Sequence, residues 1–140
     1  MRRIFTILLA SILLMAFVIP CFAIEADTPN VSPRYTHINN NQVSLTINET
    51  TGIATCCVSC YAPGNYIVKV ECKLQRYQGG FYSTIKTWTD SNAEVAGVHT
   101  TWAVNSGYTY RVYADLYVYD AAGNELEHVT SSSSYNYPKK

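Results

Sequence analysis

The sequence predicts an all-β protein: a two-sheet antiparallel β-sandwich of about seven strands, set behind an export leader. Apolar and polar side chains alternate with period two in one segment after another, as half-buried strands require. Turn residues divide these segments about every 8–12 residues, the rhythm of a sandwich. No window past the leader carries an apolar stripe at helical spacing.

The leader occupies residues 1–23. Arg2 and Arg3 precede an apolar run from Ile4 to Ile19, Pro20 ends it, and Cys21-Phe22-Ala23 offers a cleavage site after Ala23. Its 16 residues fall short of the span of about 20 that crosses a bilayer. A secreted chain, with no membrane association after cleavage, is therefore expected. Residues 24–34, with two prolines, an Asp and an Asn and no alternating pattern, read as an N-terminal linker, and 35–140 as a single domain. Without Arg2 and Arg3 the chain has 8 Lys+Arg against 10 Asp+Glu, a net charge of −2. So small and negative a charge argues against nucleic acid as a partner.

The strands follow in order. Val43, Leu45 and Ile47 alternate with polar residues, and so do Ala54, Cys56, Val58 and Cys60. Ala62-Pro63-Gly64-Asn65 turns the chain into a third strand with Val68, Val70, Cys72 and Leu74 on one face. Gly79-Gly80 predicts a tight hairpin, because glycine accepts the positive φ such loops need. Phe81–Thr89 alternates without interruption, placing Tyr82, Thr84, Lys86 and Trp88 on one side. Val98, Thr100, Trp102 and Val104 form the next face, ended by Asn105-Ser106-Gly107. Tyr108–Tyr119 is the clearest strand: Tyr110, Val112, Ala114, Leu116 and Val118 point inward, and Arg111, Tyr113, Asp115, Tyr117 and Tyr119 outward. After a turn at 120–124, Leu126, His128 and Thr130 begin a last strand that fades into Ser131–Ser134, with Glu125 and Glu127 on its outer face.

The segment from Val104 through Gly107 and Tyr108 to Tyr110, Val112 and Ala114 resembles the corner of fibronectin type III and related immunoglobulin-like modules. That resemblance implies an immunoglobulin-like sandwich in which Tyr110 buries its ring and returns its hydroxyl to backbone near the bend. Unlike fibronectin type III, the chain has no Trp on its second strand. With Cys72-Lys73-Leu74-Gln75-Arg76, Gly79-Gly80 and Lys86-Thr87-Trp88, the chain also resembles small exported β-domain proteins of Gram-positive bacteria. Such likeness implies a fold and no activity.

Four cysteines follow the leader: Cys56, Cys57, Cys60 and Cys72. Export favours disulfides. Residues three apart on a strand are about 10 Å apart, beyond the roughly 7 Å a bridge tolerates, which removes Cys57–Cys60. Cys56–Cys72 is the best-placed pair, both residues being on inward faces. The alternative is four free thiols packed as small apolar side chains. A zinc knuckle is not expected from Cys57-Val58-Ser59-Cys60, because a strand sends these two sulfurs to opposite faces.

His37, His99 and His128 lack a carboxylate or nucleophile at diagnostic spacing, His128 falls among the inward positions, and no phosphate loop or nucleophile elbow occurs. The expectation is a non-catalytic protein with no cofactor and no metal site. Of the 12 tyrosines, Tyr113, Tyr117 and Tyr119 line the outward face of the longest strand with Arg111, the arrangement of a binding surface for glycan or an extracellular protein. The alternative function is a small secreted effector, antimicrobial or toxin-like, acting on neighbouring cells.

Overall fold

The computed structural model describes residues 35–140; the predicted leader and linker lie outside the described residues. Seven strands follow one another: β1 Asn40–Asn48, β2 Ile53–Tyr61, β3 Ile67–Gln78, β4 Phe81–Ala93, β5 Val95–Ala103, β6 Tyr108–Tyr119 and β7 Glu125–Tyr137. They form two antiparallel sheets, ordered β1-β2-β5 and β4-β3-β6-β7. No helix occurs among the described residues. The expected all-β sandwich is what the chain adopts.

Alternation builds the core. Every second residue of β3, from Val68 to Leu74, and of β6, from Tyr110 to Val118, is buried. Leu45, Ile47, Ala54, Cys56, Val58 and Val98 meet them from the other sheet. Gly79 and Gly80 close the β3–β4 hairpin at φ 64° and 91°, the two successive positive values of a type I′ turn, with Gln78 paired to Phe81. At the opposite corner β4 passes into β5 through Glu94 alone, at φ 61°. The left-handed conformation there is held by backbone bonds, from Glu94 N to Tyr66 O and from Ala62 N to Glu94 O, both 2.9 Å.

The tyrosine corner is present as the resemblance implied. Tyr110 is buried, its hydroxyl donates to Asn105 O at 2.9 Å, and it accepts from Asn105 N at 3.2 Å. Burial pushes the phenol up, although the bond to Asn105 opposes it.

Three local readings are corrected. The alternation of β4 breaks at Ile85, an extra residue between Thr84, which pairs with Gln75, and Lys86, which pairs with Leu74. Beyond this bulge Lys86 and Trp88 turn toward β5, where Trp88 meets Trp102 edge-on at 6.1 Å and Lys86 lies 4.9 Å from the Trp102 ring centre. β7 does not fade at its serines. It runs to Tyr137, because β6 pairs with it throughout and small polar side chains suit the close approach of β1, where Leu45 N donates to Ser133 Oγ at 3.3 Å.

The third correction concerns the start of β7. Between Val118, paired with Glu127, and Tyr119, paired with Glu125, the register shifts by one residue. Glu127 therefore points to the inner side and His128 to the outer, the reverse of the sequence reading. Glu127 then clamps the segment entering β1: its carboxylate accepts from Thr36 N, His37 N and Ile38 N at 3.0, 2.7 and 3.1 Å. Burial works against this carboxylate's charge, but the backbone donors outweigh it and hold its pKa below the ordinary 4.5. A depressed folded pKa contributes stability that is complete above 4.5 and lost as pH falls through the folded value. Glu127→Gln is thus expected to cost about 2 kcal/mol at pH 7. Urea midpoints should show the gap between variant and parent narrowing below pH 4.5.

Candidate binding face

The outer face of the β4-β3-β6-β7 sheet gathers the aromatic and charged residues. Its centre column is β6, flanked by β3 through Gln75–Arg111, Lys73–Tyr113, Glu71–Asp115 and Lys69–Tyr117, and by β7 through Ser132–Tyr113, Thr130–Asp115 and His128–Tyr117. All four residues singled out from the sequence, Arg111, Tyr113, Tyr117 and Tyr119, lie on this face, each partly buried. They form two groups separated by Asp115.

In the first group, the Arg111 guanidinium sits 3.9 Å from the Tyr82 ring centre and 5.2 Å from that of Tyr113. Its Nε donates to Gln75 Oε1 at 2.6 Å, and Gln75 Nε2 donates to Thr84 Oγ1 at 3.0 Å. Tyr77 leans on Tyr82 at 5.1 Å, and beyond them Phe81, 66% exposed, tips the β3–β4 hairpin. In the second group, Tyr117 is stacked on His128 at 4.2 Å and 10°, with Lys69 Nζ over its ring at 5.4 Å. Tyr119 follows at 6.2 Å and 20°, beside the register shift that re-aims the end of the strand.

Between the groups lies Asp115, buried to 6% exposure although it stands on the outward side of its strand. Lys73 Nζ donates to its Oδ2 at 2.8 Å, and His128 Nε2 lies 3.0 Å from its Oδ1. Burial disfavours the Asp115 charge, yet the bonds from Lys73 and His128 outweigh that and hold its pKa below the ordinary 3.8. With Asp115 ionised, the His128 nitrogen facing it carries the proton. The bond to Asp115 in turn raises Lys73, with Glu71 Oε1 adding a contact at 3.3 Å. Burial and the nearby Asp115 charge both raise the Tyr117 phenol.

Lys69 and His128 cover Tyr117 from the two neighbouring strands. The Arg111 contacts hold Tyr82 and Tyr113 similarly. The same face carries Thr87, Thr89, Thr130, Ser132 and Ser134. The sequence reading found the tyrosines but missed Lys73, Asp115 and His128 as their supports. The signal lay in parity: with the one-residue slip, His128 falls opposite Tyr117 and beside Asp115.

No disulfide joins Cys56, Cys57, Cys60 and Cys72. All are free thiols, and Cys56, Cys60 and Cys72 are buried while Cys57 is partly exposed. The Pro63-Gly64 turn leads β2 into the other sheet, so Cys56 and Cys72 face the core from opposite sheets. Burial, and then the neighbouring Cys72, push the Cys56 thiol up to about 12, and burial lifts Cys60 and Cys72 to about 11. Among the described residues no three His, Cys, Asp or Glu side chains are grouped to hold a metal.

No family model matches the chain, and no curated protein is significantly similar to it.

Proposed function

We propose that the protein is a secreted, non-catalytic binding module that engages a hydroxyl-rich extracellular glycan through the outer face of the β4-β3-β6-β7 sheet. The observation that carries this reading is that Arg111, Tyr113, Tyr117 and Tyr119 share one face, in two groups either side of Asp115, held by Gln75, Lys69 and His128. Side chains already held by neighbours lose little rotamer freedom when a ligand arrives, so each hydrogen bond they make contributes more to affinity. Tyrosine edges interleaved with Ser, Thr, Lys and Arg offer donors and acceptors at close spacing, which suits sugar hydroxyls. Tyr113 and Tyr117 are four residues apart, about 13 Å along the strand, so one ligand bridging them needs more than a single sugar ring.

The test is a glycan array together with pull-down on cell-wall material. Tyr113→Ala and Tyr117→Ala are each expected to weaken retention about tenfold, the size of an aromatic anchor's contribution. Blank results in both assays would sink the glycan reading, and specific retention of a protein would replace it.

A further inference from the structure

The outer face of the other sheet holds a separate feature. Strand parity puts Cys57 outward between two inward neighbours, Cys56 and Val58. On β5 its direct cross-strand partner is His99, and one step further along Ser59 is opposite Gly97. Directly opposed residues have Cβ atoms about 5 Å apart, so thiol and imidazole emerge side by side. Gly97 contributes no side chain, and a Cβ there would meet Val58 O at 3.1 Å. The gap it leaves is a groove of about 250 Å³, walled by Gln42, Cys57, Ser59 and His99.

We infer that Cys57 is a thiol-exchange site that accepts a small aliphatic disulfide into this groove, with His99 taking the thiol proton. In the exchange Cys57 Sγ gives its proton to the imidazole and attacks one sulfur of R–S–S–R. A protein S–S–R bond forms as the original S–S bond breaks, and the departing thiolate leaves with that proton as RSH. Cys57 is oxidised and the departing half is reduced, so no further oxidant is needed.

The same parity makes the product terminal. Cys56, Cys60 and Cys72 are turned into the core and cannot reach the new bond to displace RSH. Burial also keeps these three protonated, with values of about 11 to 12, so they are poor competitors for the disulfide. The groove thus carries a reversible single-site modification, removed only by an external thiol.

The experiment treats the full chain, in a Cys21→Ser background, with cystamine under native conditions and reads intact mass and peptide maps. One cysteamine adduct, at Cys57, is expected, with the other three thiols reacting about a hundredfold more slowly. Cys57→Ser should abolish the adduct. His99→Asn should slow its formation about tenfold near neutral pH and change the pH profile of the reaction. An adduct on Cys56, Cys60 or Cys72, no adduct at all, or an unchanged rate and pH profile in His99→Asn would overturn the inference.

Discussion

Tyr110→Ala is expected to destabilise the domain by about 4 kcal/mol, the cost of removing a buried aromatic ring that the surroundings cannot refill. Tyr110→Phe should cost about 1.5 kcal/mol, although the ring stays in place. The hydroxyl ties the inward side of β6 to the backbone that leaves β5, and it satisfies both the N–H and the C=O of Asn105. Without it both groups lose their partner at a partly buried site. Urea unfolding of the two variants, with unchanged slopes, separates ring from hydroxyl. A Phe variant as stable as the parent would show that the bend needs no such tie.

Asp115→Ala is the second large effect. Loss of the buried carboxylate strands Lys73 and His128 on a crowded face, and the expected cost at pH 7 is about 3 kcal/mol, less than for a fully enclosed ion pair because both partners retain solvent access. The pH dependence has two limbs. Asp115 is depressed on folding, so its contribution is complete above 3.8 and fades as pH falls through its folded value. Lys73 is raised, so its share is complete below 10.5 and is lost as pH climbs through its folded value. Parent and variant should therefore differ most at mid-range pH and converge in acid. A constant gap down to strong acid would mean that Asp115 acts by packing rather than by charge. Because the same carboxylate steadies Lys73 and His128 beneath the tyrosines, the variant should also lose ligand retention along with stability.

Most of the architecture was legible in the residues because burial on one face imposes a strict two-residue period. The inward row of β6, the Gly79-Gly80 hairpin and the Tyr110 corner all follow from local pattern and turn chemistry. What escaped were the places where one residue is added to a ladder. The extra residue at Ile85 and the slip beside Tyr119 each invert the faces beyond them, and no local propensity marks either one. A slip of one position hid the union of His128 with Asp115 and the inward turn of Glu127. The pairing Cys57–His99 was invisible for another reason: it joins residues 42 positions apart, and only the strand register brings them together. The outward tyrosines were readable because they sit on one uninterrupted strand.

The clamp by Glu127 bears on how the domain would respond to tension. It holds the chain entering β1 beside the start of β7, while the far end of β7 is anchored near Glu49, where Tyr137 donates to the backbone. Entry and exit thus lie at opposite poles, and β1 and β7 run side by side in the same direction. A pull between Tyr35 and Lys140 acts along the strands, so the rungs joining β1 to β2 and β6 to β7 share the load and must rupture together. A fold stretched in shear resists force better than one peeled open rung by rung.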